Sequence, residues 1–414
     1  MRILLANHTS AWSGAEVALM RLLDALPADH EVAVACPPEG PLPDALDRAG
    51  FERHPLPAVD ASLRLHPVQT PVGVSRLGAA GAALARVARR FGADVLHANT
   101  LRTGLMGAIA VRLGGPPVVV RAHEHLPLTP VGRSIRFVLT RSASAVVAVS
   151  DHTARHFNEG LPRPIAFRVY NSIDHARFNP ACVLPARLRE ELGIDPDAEL
   201  LGQVAQITPW KGQETAIRAL STLRRGGLDA HLVIVGQIAF AAKGVRYDNH
   251  GYRRALHRLV TELGVDDAVH FIGQREDVPA VLRALDLSLL PSWEEPFGLV
   301  TVESMAMGTP PVVSSVGAGP ELVQDRVSGR VVPPREPEAW AEVIRELLRD
   351  RPELERKGER GRQAASWFRD DRQAEEMLKV YERAIEPSAG HLPPPSPIAP
   401  AHVADSREMA QWPS

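Results

Sequence analysis

Over the first 175 or so residues, short apolar runs alternate with longer stretches whose apolar positions recur at helical spacing. Arg2–Ala6, Glu31–Cys36, Val95–Ala98, Val118–Arg121 and Ala145–Val149 read as strands, and Ala15–Leu26, Ser75–Arg90 and Arg102–Leu113 as helices. Such alternation predicts a parallel sheet covered by helices on both faces. The pattern restarts beyond a turn-rich stretch at 171–185, with strands at Leu200–Ala205, His231–Val235, Val269–Phe271, Leu285–Leu290 and Pro311–Ser314. Between these lie helical patterns at Gln213–Arg225, Gly251–Leu263, Val278–Ala284 and Val300–Met307.

The fold class is therefore α/β, two Rossmann-like doubly wound domains facing across a cleft at the carboxyl ends of their strands, where ligands bind in such sheets. The expected domains are 1–175 and 176–370, followed by a helix over 371–385 and a tail over 386–414. HLPPPSPIAP in that tail has five prolines in ten residues, which predicts disorder, because proline fixes φ and lacks a backbone donor.

Composition narrows the classes of function. The 414 residues are 45% hydrophobic and 23% charged with a net charge of −2, which excludes a fibrous chain and a polycation built to coat nucleic acid. Two cysteines, Cys36 and Cys182, cannot form a disulfide framework, and no CxxC or His-rich cluster offers a zinc site. The amino terminus turns polar too soon for a signal-peptide core, so a cytoplasmic protein is expected. Charge is nonetheless uneven. Between Arg76 and Arg141 ten arginines face only Asp94 and Glu124, which is either a set of solvated helix faces or a surface for anionic lipid or a phosphorylated acceptor. No aromatics interleave the arginines, so no nucleic-acid partner is expected.

The densest chemistry lies in PSWEEPFGLVTVESMAMGTPPVVSS, 291–315. A strand ends at Leu290, a loop carries Glu294, Glu295, Pro296, Phe297 and Gly298, and a helix opening near Leu299 carries Glu303 in its second turn. Free N–H groups and partial positive charge at that helix end suit a diphosphate. Glu295 and Glu303 are placed to grip hydroxyls on either side of the anion, as a ligand carrying sugar would require.

This segment resembles the E-x7-E signature of the GT-B glycosyltransferases of family 4, with Glu295 and Glu303 at its two Glu positions. Further segments follow the family in order over about residues 1–385: WSGAEVAL (12–19), VLHANTLRTG (95–104), VVVRAHEH (118–125), LGQVAQITPWKGQE (201–214), VHFIGQREDVP (269–279) and SVGAGPELVQDRVSGRVVPP (315–334). The resemblance implies a retaining, metal-independent glycosyltransferase of carbohydrate or glycoconjugate biosynthesis. Its donor would be a UDP-, GDP- or other nucleotide sugar, and its acceptor a hydroxyl on a glycolipid, a polysaccharide precursor or a small metabolite. It also implies a C-terminal helix crossing back to the first domain.

Residue by residue, the resemblance assigns catalytic positions to His123, Lys211 and Glu295, and donor-binding positions to Gly14, Gln206, Lys211, Glu295, Phe297, Gly298, Leu299 and Glu303. Lys211 stands at the family's lysine and would neutralise the leaving diphosphate. Ala205-Gln206 departs from the family's Gly-Arg, so a cation is missing unless another arginine, such as Arg275, replaces it. Asn171 and Asp174 read as turn and linker residues. Alternative readings are a nucleotide-sugar epimerase on the same fold and a non-catalytic nucleotide-sugar-binding protein. A soluble enzyme at the inner face of the cytoplasmic membrane fits the basic first domain.

Overall fold

The computed structural model describes residues 1–59, 69–126, 129–162, 164–238 and 247–386. The expected disordered tail lies outside the described residues from 387 onward. Two compact units emerge, Met1–Ser172 with the returning chain from Arg369, and Ile173–Phe368.

The first unit runs β1 (Arg2–Ala6), α1 (Gly14–Ala25), β2 (Glu31–Cys36), α2 (Pro41–Ala49), β3 (Glu52–Pro55), α3 (Gln69–Phe91), β4 (Val95–Ala98), α4 (Leu101–Arg112), β5 (Val118–Ala122), α5 (Pro130–Ser142), β6 (Ala145–Ala148), α6 (Asp151–Asn158) and β7 (Ala166–Arg168). Its strands are parallel in the order β3-β2-β1-β4-β5-β6-β7. Residues of β1 alternate between faces: Leu4 and Ala6 join the core under α3–α6, while Ile3 and Leu5 join the core under α1 and α2. β3 reads ERHP, polar and at the sheet edge, and β7 at the other edge has only three residues, so apolar patterning marked neither.

The second unit runs α7 (Leu188–Glu191), β8 (Glu199–Val204), α8 (Gln213–Arg225), β9 (Ala230–Val235), α9 (Asn249–Leu263), β10 (Val269–Gly273), α10 (Val278–Ala284), β11 (Leu287–Leu290), α11 (Leu299–Ala306), β12 (Pro311–Ser314), α12 (Gly319–Leu322), β13 (Arg330–Val332), α13 (Pro337–Arg349) and α14 (Arg351–Ala365). Its parallel order, β10-β9-β8-β11-β12-β13, repeats the plan of the first sheet.

The last helix, α15 (Asp370–Ile385), leaves the second unit and completes the first. Ala374, Met377, Val380 and Tyr381 fill the core under α1, and Arg21 pairs with Asp370 at 2.9 Å. Polar groups lock the helix down. The Tyr381 hydroxyl meets His97 Nδ1 at 2.6 Å, and Gln373 Oε1 accepts from the Ser172 N–H and hydroxyl at 3.0 and 2.7 Å. Fully buried Arg121 donates to the Val169 carbonyl (2.8 Å), to Asn171 Oδ1 (2.9 Å) and to Met377 Sδ (3.3 Å). Asn171 is thus a buried partner of Arg121 rather than a turn residue. Asp174 does form the expected turn, accepting from the Ala176 and Arg177 N–H groups.

Candidate active site

The second unit gathers most of its chemistry at the carboxyl ends of β8 and β11. After β8 the chain forms a single 3-10 turn, Pro209–Lys211, and leaves it through Gly212 at φ 71°. A Cβ on Gly212 would lie 2.2 Å from the Pro291 carbonyl oxygen, so only glycine lets this turn approach the loop after β11. The Trp293 N–H donates to the Trp210 carbonyl at 2.9 Å, and Gln203 Nε2 to the Lys211 carbonyl at 2.7 Å.

This places Lys211 Nζ 2.6 Å from Glu295 Oε2 and 4.2 Å from the centre of the Trp210 ring. The Ser292 hydroxyl donates to the same Glu295 oxygen at 3.0 Å, and the Ala318 N–H donates to the Glu295 carbonyl at 2.9 Å. Gly317, at φ 77°, crosses the Glu295 backbone so closely that a Cβ would sit 2.4 Å from its carbonyl oxygen. Glu295 is therefore fixed by three segments before any ligand arrives.

Gly298 then takes a left-handed conformation, φ 89°, and α11 starts at Leu299 with no side chain capping it. Glu295 and the first N–H groups of this helix belong to one short stretch of chain, with the Glu295 side chain against Gly298, and Lys211 joins them from the turn after β8. The Phe297 ring is buried and stands edge-on to Phe368 at 6.0 Å, so it packs beneath the loop. The Glu303 side chain, in the second turn, makes no hydrogen bond among the described residues. Burial pushes its carboxyl up to about 7, against the opposing pull of the Arg177 charge.

Gln206 offers its carbonyl to Gln213 Nε2 at 2.9 Å, and its side chain makes no hydrogen bond among the described residues. Arg275 does not replace the missing cation. Asp277 takes two of its donors, at 2.8 and 2.7 Å, and Glu191 a third, at 2.8 Å. These carboxylates raise its pKa further and leave it committed to them.

In the first unit, Gly14 opens α1, and the loop before it is held by a carboxylate of that helix. Buried Glu16 accepts from the Ser13 hydroxyl at 2.5 Å and from Asn7 Nδ2 at 3.0 Å. The pair Ser13 and Glu16 carries the capping spacing, which was the available signal. His123 follows the last residue of β5, and its Nε2 is buried with no hydrogen-bond partner. Burial first, then the charges of Arg121 and His97, hold His123 well below the ordinary histidine range, so it is neutral at physiological pH. His125 turns instead to Thr153 at 3.2 Å and to the rings of His152 and His156, while Glu124 pairs with Arg102 at 3.5 Å. Among the described residues, no group of three or more His, Cys, Asp or Glu could hold a metal ion.

Comparison with known proteins places this arrangement. The family described as "Glycosyltransferase Family 4" matches residues 12–177, and that described as "Glycosyl transferases group 1" matches residues 186–364. A D-inositol 3-phosphate glycosyltransferase of Salinispora arenicola is 30% identical over 314 residues, covering 70% of this chain and 69% of that protein. A protein of the same name from Saccharomonospora viridis is 30% identical over 317 residues, covering 70% of each. The chain belongs to glycosyltransferase family 4. The two doubly wound sheets of this glycosyltransferase have the GT-B fold of solved relatives. Anabaena HepE, solved in complex with UDP and with UDP-glucose, superposes with a TM-score of 0.78 at 24% identity, covering 92% of this chain and at least 99% of that one. Sucrose-phosphate synthase from Thermosynechococcus elongatus gives 0.73 at 21%, covering 92% and 98%. The epimerase and non-catalytic readings of the sequence give way to glycosyl transfer.

Proposed function

We propose that this glycosyltransferase takes a sugar from a nucleoside diphosphate sugar and passes it, with retention at the anomeric carbon, to a hydroxyl acceptor. The observation that carries the reading is the Lys211–Glu295 pair beside the uncapped start of α11. An ammonium and open helix N–H groups stabilise the diphosphate as it leaves, which is where charge develops. Glu295, already fixed by Ser292 and Ala318, orients the sugar, and Glu303 holds the ribose hydroxyls. Gly298 and Leu299 supply backbone at the helix opening, and Gln206 a neutral donor where the family has arginine. The first unit serves the acceptor, with His123 directly after β5, while Gly14, at the opening of α1, is assigned to the donor. The departing diphosphate helps to take the acceptor proton on the face it leaves.

HepE, bound to UDP-glucose in its crystals, makes a UDP-sugar the first donor to try, and the relatives' shared name makes a phosphorylated polyol the first acceptor. Lipid-linked and polysaccharide acceptors follow, because the first unit is basic and its enzyme would work at a membrane's inner face.

A thermal-shift panel of nucleotide sugars finds the donor, since saturation at about 100 times Kd adds about 2.7 kcal/mol. With that donor, nucleoside diphosphate release should require acceptor, and the product should keep the donor's anomeric configuration by NMR. Lys211→Ala and Glu295→Ala should each slow transfer about 100- to 1,000-fold with an unchanged melting midpoint. Near-normal turnover in both variants, or an inverted product, would refute the assignments. Lys211 and the helix end do here what a metal ion does elsewhere, so EDTA should leave turnover unchanged.

A further inference from the structure

The first unit is electrically two-sided. α3 lies on α4 and α4 on α5, and together they cover one face of the sheet. These three helices contain nine arginines and no aspartate or glutamate. The opposite face is covered by α1, α2 and α15, which contain nine acidic residues and five basic ones. One neighbouring carboxylate reaches an arginine of the layer: Glu124 meets half-buried Arg102 of α4. Asp94 accepts the Arg2 N–H at 2.7 Å, and Asp151 of α6 pairs with buried Arg168 at 3.2 Å. Arg76, Arg86, Arg89, Arg90, Arg112 and Arg141 are exposed.

The same layer shows apolar side chains to solvent. Of six exposed large hydrophobics among the described residues, four sit on it: Val72, Val74, Leu113 and Phe137, at 47, 63, 49 and 57% exposure. They stand among the cations, with the Arg141 guanidinium 4.6 Å from the Phe137 ring centre and Arg89 donating to the Leu113 carbonyl at 2.9 Å. Duplex or single-stranded nucleic acid would engage the arginines and leave the aliphatic groups in water. A bilayer engages both, with guanidinium groups at the lipid phosphates and apolar side chains at the acyl boundary.

We propose that the α3–α4–α5 layer is the surface by which this enzyme docks on a bilayer bearing anionic lipid. The docking rests on the first unit alone and needs neither donor nor acceptor, so it stands or falls separately from the donor-site reading.

The test is co-sedimentation of the full chain with vesicles of phosphatidylcholine, alone or mixed with phosphatidylglycerol, at low and high salt. Binding to the mixed vesicles at low salt, weakened by salt and absent from phosphatidylcholine alone, is expected. Arg86→Glu/Arg89→Glu/Arg90→Glu should weaken it at least about tenfold. Arg253→Glu/Arg254→Glu/Arg258→Glu, the same charge change on α9 of the second unit, should leave it within about twofold. Phe137→Ser should weaken it several-fold and increase the fraction released by salt. Each variant's circular dichroism should match the parent. Equal loss in the two triple variants, equal binding to neutral vesicles, or no binding at either salt overturns the proposal. So does a DNA duplex bound by the protein as tightly as the mixed vesicles.

Discussion

The two units share one sheet plan and differ in how the polar residues at their strand ends are used. In the first unit most of these groups close on one another, His123 Nε2 excepted: Arg121 on Val169 and Asn171, His97 on Tyr381, and Glu16 on Ser13 and Asn7. Their yield is architectural, a returning helix held in place and a loop set in front of α1. In the second unit, Glu303 and the Gln206 side chain keep hydrogen-bonding capacity, and the Lys211–Glu295 pair stands beside open helix N–H groups. Topology alone therefore says where a site can form. Whether one does depends on which polar groups are left with something to bind.

The comparison breaks most readily at Arg121. Arg121→Ala should cost about 3 kcal/mol, because it strands two buried acceptors and opens a cavity beneath Met377. Limited proteolysis should then release α15 early, while the donor-induced thermal shift persists. Loss of donor binding in this variant would show that the polar lock serves the second unit too.

Next comes Gly317→Ala, which sets a methyl group 2.4 Å from the Glu295 carbonyl oxygen at a positive φ. A loss of about 2 kcal/mol is expected, with weaker donor binding because Glu295 must move. Gly160 has a similar φ of 74° and nothing within 4 Å of an added Cβ, so Gly160→Ala should cost about 1 kcal/mol or less and leave donor binding alone.

Acidity separates the units with opposite signs. His97, lowered to about 3 by burial and by the Arg121 charge, favours the folded state when neutral, so its contribution is lost as pH falls below about 6.5. Glu303, raised to about 7, also favours the folded state when neutral, so its contribution is complete below about 4.5 and is lost as pH rises through 7. Glu303→Gln should match the parent at pH 4 and exceed it by about 2 kcal/mol at pH 8 in denaturant titrations. If ribose hydroxyls bind the ionised carboxylate, nucleotide-sugar affinity of the parent rises with pH through about 7, and the Gln variant lacks that step. A flat parental profile would remove Glu303 from the site.

The smallest expected effect is at Gln206. Gln206→Arg should raise the transfer rate by less than about tenfold, because Lys211 and the helix end already meet the diphosphate charge. A larger gain, read as kcat in steady-state assays, would mean that the wild-type site lacks the stabilisation assigned to them.

Hydrophobic periodicity fixed most of the strands and longer helices, because strands buried on both faces are apolar along their whole length, as Val95–Ala98 and Ala145–Ala148 are. It could not mark β3, whose four residues sit at a sheet edge where burial demands little. Local sequence likewise pointed to Glu295 and the opening of α11, since a strand end, a glycine and a helix start are short-range features, whereas Lys211 came from the family resemblance. It misread Arg275, which neighbouring Asp277 and distant Glu191 hold between them, and Asn171, whose role depends on a buried guanidinium from β5. Pairing between distant residues, the burial that raises the Glu303 carboxyl and the sorting of arginines and carboxylates onto opposite faces of one sheet came only with folding. Each depends on which segments the topology brings together, and charge in a low-dielectric interior is set by those neighbours rather than by adjacent sequence.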